Sequence, residues 1–359
     1  MICLNMIVKN EEEDLPRCLK SVKPYIDYYL ISDTGSTDNT VEVIRKCLEG
    51  VPGEVLRHKW KDFGHNRELI LQEAYKNPDI DYCLFIDADE ELFVNNGAFD
   101  NPADAYYIEK HISDIKCIIP SVINIKSTEW HWSGVVHNDL SGKPKNTVFV
   151  DGYIEAYPGK GGKSSGLSSL KEKALRDARL IEKELKKTPN DARYQFFLAQ
   201  SYYAAGKLRK ARNNYIKRMK MGGDRENVYW SMLLAALLEG KLEEDFPISK
   251  FLLAYNYRPT RKEALCEVAN YCNQHGLYPL GYMVAKMGYD IPKTKDVMFV
   301  VMSVEDWRMA DELAVSAFGT KRYKESRDLC DELLTSGKLP KGEVKRVKRN
   351  RRLANAKSK

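Results

Sequence analysis

An apolar run, Tyr82-Cys83-Leu84-Phe85-Ile86, leads straight into Asp87-Ala88-Asp89-Glu90-Glu91. Carboxylates two residues apart, at a strand end where the backbone turns outward, present oxygen ligands to a divalent hard cation, and such a cation neutralises a diphosphate. Acidic turns after strands are common, so the pair needs a context. The segment Ser32-Asp33-Thr34-Gly35-Ser36-Thr37-Asp38-Asn39-Thr40 is a second acidic turn of the same kind. Asp33 could accept from a base N–H or a ribose hydroxyl, and Asp38 stands where a helix beginning near Thr40 needs a cap.

The elements that must hold these residues are legible as alternating runs. Residues 2–8, 28–32, 54–58 and 82–86 read as strands, with helices near 13–22, 38–49 and 66–76 between them. Strands separated by helices of this length predict a parallel sheet built by right-handed crossovers, which binds ligands at the carboxyl ends of its strands. From about 100 to 155, short strand-like pieces with turn signals predict a mixed edge that completes the sheet.

Residues 158–169 (PGKGGKSSGLSS) read as a flexible, positively charged loop before a long helix that starts near Leu170. The phosphate-cradling pattern GxxxxGK[ST] fails here, because Tyr157 stands where glycine is required. Beyond residue 170 the apolar spacing is helical. Ala199, Tyr202, Gly206, Ala211 and Tyr215 match the spacing of a tetratricopeptide (TPR) unit, and Gly206-Lys207-Leu208 recurs 34 residues later as Gly240-Lys241-Leu242. Degenerate copies carry Ala269, Cys272 and Gly276, then Ala314, Ala317, Ser326 and Cys330. The expected organisation is an α/β domain over 1–157, the loop 158–169, an all-α repeat domain over 170–340 and a basic, disordered tail over 341–359.

Composition narrows the function classes. The 359 residues are 43% hydrophobic and 30% charged, with 57 Lys and Arg against 51 Asp and Glu. Nine of those cations lie in 341–359 beside one Glu, which leaves 48 basic against 50 acidic residues in 1–340. The body is therefore no nucleic-acid footprint, and only the tail offers itself to nucleic acid or an anionic membrane. Eight cysteines without a CxxC pair read as reduced, structural thiols. The sequence shows neither a signal peptide nor an apolar stretch near membrane-spanning length, and the expected location is cytoplasmic.

Five segments in order, 6–22 (MIVKNEEEDLPRCLKSV), 31–40 (ISDTGSTDNT), 62–74 (DFGHNRELILQEA), 85–91 (FIDADEE) and 130–140 (WHWSGVVHNDL), make residues 1 to about 155 resemble a family 2 glycosyltransferase of the GT-A fold. The TPR-like helices place the resemblance in the repeat-bearing branch. It implies a Rossmann-like mixed sheet and a nucleotide-sugar donor, with a UDP-sugar favoured. It further implies that Asp33 holds the uracil or ribose and that Arg67 contacts the base or diphosphate. Asp87 would reach the ribose or metal, Asp89 would bind the metal, and Glu11 would help close the nucleotide pocket.

His137 fits a third ligand, because a neutral imidazole suits Mn²⁺ better than Mg²⁺. Asn138 stands where the family usually has Glu, and Asn cannot take the acceptor proton. Asp139 is the nearest carboxylate for that role, with Glu129 and Glu91 as rivals. Lys160 or Lys163 of the loop would stabilise the departing diphosphate as part of a lid. Trp130, Trp132, Tyr106 and Tyr107 offer rings on which an acceptor sugar could stack.

The expected function is thus a metal-dependent, inverting transfer from a nucleotide sugar to a glycan or protein acceptor. The repeats would bind that acceptor, a protein partner or a second copy of the chain. The alternatives are a TPR scaffold with a degenerate transferase domain, or a transferase held to nucleic acid or membrane by its tail.

Overall fold

A computed structural model describes residues 1–157, 170–243 and 245–358; Lys160 and Lys163 lie outside the described residues. Two compact units divide at Lys207 and Leu208. In the first, β1 (Ile2–Val8), β2 (Tyr28–Asp33), β3 (Gly53–Arg57) and β4 (Tyr82–Leu84) alternate with α1 (Leu15–Val22), α2 (Thr40–Cys47) and α3 (Phe63–Lys76). They are followed by β5 (Glu90–Val94), β6 (Ala105–Ile112), β7 (Ile115–Asn124), β8 (His131–Ser133), β9 (Asp139–Ser141) and β10 (Thr147–Ala156). The sheet order across this unit is β3-β2-β1-β4-β7-β6-β10-β5, and β8 pairs with β9 in a separate hairpin.

β1 to β4 pair in parallel, as crossover helices require. The expected mixed edge follows, because β7 runs antiparallel to β4 and β6, and β5 runs antiparallel to β10. One buried cluster joins Leu4, Met6 and Ile31 to α1 residues Leu15, Cys18, Leu19 and Val22; the opposite face buries Ile70, Leu71 and Ala74 of α3 against Cys3, Cys83 and Ile123. Helices on both faces explain why these strands read as continuous apolar runs rather than alternating ones. The edge strand β5 is closed from outside: Leu92 N–H donates to Ser21 Oγ at 3.0 Å, and the Val94 carbonyl accepts from Tyr25 OH at 2.8 Å.

Two helices follow in the same unit, α4 (Leu170–Lys187) and α5 (Ala192–Ala204), so the first compact unit extends past the loop to residue 207. The helices of the second unit include α6 (Leu208–Lys220), α7 (Arg225–Glu243), α8 (Ile248–Tyr257), α9 (Glu263–Gln274), α10 (Tyr278–Asp290), α11 (Met309–Gly319), α12 (Tyr323–Thr335) and α13 (Lys341–Lys357). The residues singled out for their spacing are buried: Ala199, Tyr202, Ala211 and Tyr215, then Ala269, Cys272, Ala314, Ala317, Ser326 and Cys330. Gly206 and Gly276 turn between helices with positive φ, the conformation glycine adopts without cost.

Two expectations need correction. Gly240-Lys241-Leu242 is not an interhelix turn, because α7 runs through it to Glu243. The spacing of 34 there is a coincidence of letters, and Gly240 serves instead to let the Pro247 ring approach. The basic tail is helical. Val347 and Ala354 are spaced by seven on one face of α13 and are fully buried, Arg346 reaches Asp311 at 2.8 Å and 3.0 Å, and Arg351 pairs with Asp331. A charge count sees the cations but not the two apolar contacts that order the segment.

That burial gives a stability prediction. Val347→Asp places a carboxylate against α12 with no partner and should cost about 3 kcal/mol in the second unit. Thermal melting followed by circular dichroism checks it; a melt unchanged from wild type would return the tail to a solvated segment.

Candidate functional site

Three parallel strands run out at one end of the sheet: β1 into residues 9–14, β2 at Asp33 and β4 into 85–89. Glu11, Asp33, Asp87 and Asp89 are brought together there by topology alone. The first two connections are laced side chain to backbone. Asn10 Oδ1 accepts from Thr37 N–H at 2.7 Å, Ser36 Oγ accepts from Asn10 N–H at 3.0 Å, and Thr40 Oγ1 accepts from Glu11 N–H at 2.8 Å. Glu12 accepts from Asn39 N–H at 3.0 Å and from its side-chain amide at 2.9 Å. Asp38 accepts from Thr40 N–H and Glu12 N–H at 3.1 Å and 3.3 Å, so it caps α2 from one position before Asn39.

Asp33 is 1% exposed, and its Oδ1 accepts from the N–H groups of Gly35 and Ser36 at 3.3 Å and 2.9 Å. It braces its own turn, and its other oxygen faces Arg57 Nε at 3.9 Å.

Asp87 is the hub of the next layer. Arg67 of α3 pairs with Asp87 Oδ1 while its guanidinium lies over the Trp132 ring, 4.9 Å from the centroid. Lys110 of β6 pairs with Glu90 and stands 4.0 Å from Asp87 Oδ2, and Asp87 N–H donates to Glu90 at 3.0 Å. Protein fills most of the space around Asp87, yet 41% of its side chain is open, as on the floor of a cleft. Burial pushes its pKa up, but Arg67 and Lys110 outweigh that and hold it below the usual carboxylate range. At Asp89 the nearby lysines offset only part of the opposing effects, and at Glu11 the neighbouring charges are acidic. Burial, followed by the charge of Asp87, raises Asp89; burial, followed by Asp89, Asp14 and Asp87, raises Glu11 to about 8. Glu11 Oε2 is buried without a hydrogen-bond partner among the described residues.

The other wall is the β8–β9 hairpin. Glu68 of α3 accepts from Trp132 N–H at 2.7 Å, and Gly64 permits a contact with Gly134 that any Cβ would block at the Gly134 carbonyl. α5 holds the tip of the hairpin. Tyr194 OH accepts from Val135 N–H at 3.3 Å, Arg193 lies 3.6 Å from Asp139, and Phe197 stacks on His137 with centroids 4.3 Å apart and planes at 6°. Asn138 Nδ2 and Trp132 Nε1 are buried and have no hydrogen-bond partner among the described residues.

The expected ligand set Asp87, Asp89 and His137 is not assembled: among the described residues, no three His, Cys, Asp or Glu side chains converge as a metal cluster. At φ +48 the backbone of His137 turns its ring flat onto Phe197. Crowding by protein, followed by the charges of Arg193 and Lys173, keeps the ring neutral against the pull of Asp177. Of the carboxylates considered for the acceptor proton, Glu91 accepts from Tyr157 OH at 3.1 Å and lies 3.9 Å from Arg17, Glu129 contacts His131 at 3.3 Å, and Asp139 is 54% exposed. Trp130 and Tyr106 are core residues, with Trp130 Nε1 donating to the Asn124 carbonyl at 3.2 Å.

Lys110 was missed in the sequence although a signal existed. It continues the inward register of Tyr106 and Ile108 on β6, where a buried ammonium demands a carboxylate. For Phe197 and Tyr194 no local signal exists, because their partners lie about 60 residues away.

Residues 3–95 match the family described as glycosyl transferase family 2. The prophage-derived glycosyltransferase SunS of Bacillus subtilis is 26% identical over 243 residues, covering 60% of this chain and 54% of SunS. The chain thus spans about half the length of that relative. Among solved structures, TarS 1–349 of S. aureus in complex with UDP-GlcNAc gives a TM-score of 0.37 at 12% identity, covering 72% of this chain and 92% of that one. The C-terminal part of a TPR repeat-containing protein from Cytophaga hutchinsonii gives 0.40 at 16% identity, covering 52% and 67%. Residues 3–95 of this chain thus match the glycosyl transferase family 2 model, and the helices α4 to α13 lie beyond the match.

Proposed function

We propose that the chain is a metal-dependent, inverting glycosyltransferase that moves a sugar from a UDP-sugar to a hydroxyl or other nucleophile on a glycan or polypeptide. The observation that carries this reading is the buried, unpartnered oxygen of Glu11, set electrostatically against Asp87 and Asp89 at the carboxyl ends of the parallel strands. Carboxylates whose pKa values are raised by burial and by one another fit a hard divalent cation, which binds oxygen donors. Asp89 would hold Mn²⁺ or Mg²⁺, and the ion, when bound, would neutralise charge on the donor diphosphate.

The chain's own groups do the rest. Arg67 fixes Asp87 and presents its remaining donors to the nucleotide. Asp33 sets the turn under the base, and Asp139, open to solvent, takes the proton of the attacking hydroxyl. Arg193 keeps Asp139 at the hairpin tip. Glu91 is a poorer base because Tyr157 and Arg17 occupy it. The helical repeats offer a surface for a polypeptide acceptor or a partner.

Asp89→Asn should abolish Mn²⁺-dependent binding of the nucleotide sugar while leaving the melting temperature without metal near that of wild type. Calorimetry with UDP-, GDP- and dTDP-sugars, with and without Mn²⁺, reads this directly. Binding of no donor by wild type would favour the scaffold reading, in which the repeats are the working part.

A second prediction follows from charge. With its pKa raised from 4.5 to about 8, Glu11 contributes stability that is fully present below pH 4.5 and is lost as pH rises toward 8. Glu11→Gln should therefore match wild type at pH 5 in metal-free buffer and melt higher than wild type at pH 8. A pH-independent difference between the two proteins would remove Glu11 from the acidic cluster.

A further inference from the structure

β10 takes four steps from Phe149 to Tyr153 where its parallel neighbour β6 takes two, from Tyr107 to Glu109. A bulge of this kind interrupts the ladder and bends its strand. Gly152 lets the bulge close on β5, since a Cβ there would meet the Phe93 carbonyl at 2.4 Å. Beside the bulge lies a hollow of about 530 Å³, lined by Phe93 of β5 and Asn95 just beyond it, Glu109 of β6, and Asp151 and Tyr153 of β10. That volume is in the range of small-molecule sites.

Two kinds of group meet in the hollow. Rings stand on three neighbouring strands: Tyr153 stacks on Phe93 with centroids 4.9 Å apart and on His111 with centroids 4.6 Å apart, and Phe93 keeps 38% of its surface open. Carboxylates stand beside the rings. Glu109 accepts from Lys116 Nζ at 2.7 Å and lies 3.1 Å from His111 Nε2, which fixes its position and leaves further lone pairs free. Asp151 is exposed and has no hydrogen bond or ion pair among the described residues. Both charged groups that line the hollow are acidic, so it repels a phosphate or a carboxylate. A pyranose fits this chemistry: its C–H face lies on a ring, and its rim of hydroxyls donates to carboxylates. A polypeptide fits it less well, because Ser21 and Tyr25 already occupy the edge of β5 to which an extended peptide would add as a strand.

Resting on the glycosyltransferase reading above, we infer that this hollow binds a neutral saccharide, the part of a glycan acceptor that extends beyond the reacting hydroxyl. The sugar stacks on the open side of Phe93 and donates hydroxyls to Asp151 and Glu109. β5 joins this hollow to the acidic turn: Phe93 lies four residues beyond Asp89, a span of at most about 14 Å. The acceptor class is thereby narrowed from glycan or polypeptide to glycan. The hollow holds the acceptor and takes no part in bond making.

The experiment presents the full chain, without nucleotide or metal, to immobilised tetrasaccharides of α- and β-linked glucose, galactose, mannose and N-acetylglucosamine, with tetragalacturonate and tetralysine as charged controls. We expect a neutral tetrasaccharide to bind, and Phe93→Ala and Asp151→Asn each to weaken it about tenfold. Both residues are exposed, so the melting temperature should stay near that of wild type, and nucleotide-sugar binding with Mn²⁺ should stay within about twofold. Binding of no neutral tetrasaccharide, or binding that neither variant weakens, overturns the assignment. Tetralysine bound instead and lost in Asp151→Asn would make the hollow a polypeptide site, and self-association abolished by Phe93→Ala would make it an interface between copies; either result overturns the inference as well. If tetrasaccharides bind and no nucleotide sugar does, the transferase reading fails while the saccharide site stands; the reverse outcome sinks the site alone.

Discussion

Four carboxylates, Glu11, Asp87, Asp89 and Glu90, meet two cations, Arg67 and Lys110, at the end of a parallel sheet. Like charges gathered in a protein cleft raise one another's pKa unless something positive intervenes. Here the intervention is deliberate in geometry and incomplete in number. Arg67 and Lys110 pair with Asp87 and Glu90 and leave Asp89 and Glu11 without an ion-pair partner among the described residues. The rest of the first unit can be understood as the apparatus that holds this imbalance in place: α3 delivers Arg67, β6 delivers Lys110, and the laced loops after β1 and β2 deliver Glu11.

The same imbalance separates what the sequence reveals from what it hides. The acidic turn 87–91, the turn 32–40 and Arg67 are visible because each is a short segment whose residue types suffice to suggest chemistry. The strands and helices of 1–95 are visible because burial on both faces writes apolar runs into the chain. Lys110 is hidden by register, since its partner Glu90 lies across β10 in the sheet order and only the alternation of β6 hints at which way it points. His137 is misread for the opposite reason. Its neighbours in sequence suggest a ligand, while Phe197, far along the chain, decides where its ring lies.

Helical repeats raise a related difficulty. Small residues at Ala199, Ala211, Ala269 and Ala314 report helix contacts faithfully, because a larger side chain cannot enter there. Turn residues report less well. Gly206 and Gly276 turn with positive φ, the turn between α11 and α12 uses Lys321 at φ +63, and Gly240 lies within a helix. The period of a repeat is therefore better read from its buried positions than from its glycines.

The two hydroxyls that close the β5 edge have a further consequence. A strand can slip along its neighbour by two residues and keep the same side chains facing inward, so the apolar pattern of β5 does not fix where it stops. Such a slip would carry Asp87 and Asp89, which immediately precede β5, about 7 Å along the sheet. Ser21 and Tyr25 project from a different element, α1 and the turn after it, and each meets one backbone group of β5. They act as a fixed stop outside the sheet, so that the absolute position of the acidic turn is measured against α1 rather than against the strand that carries it.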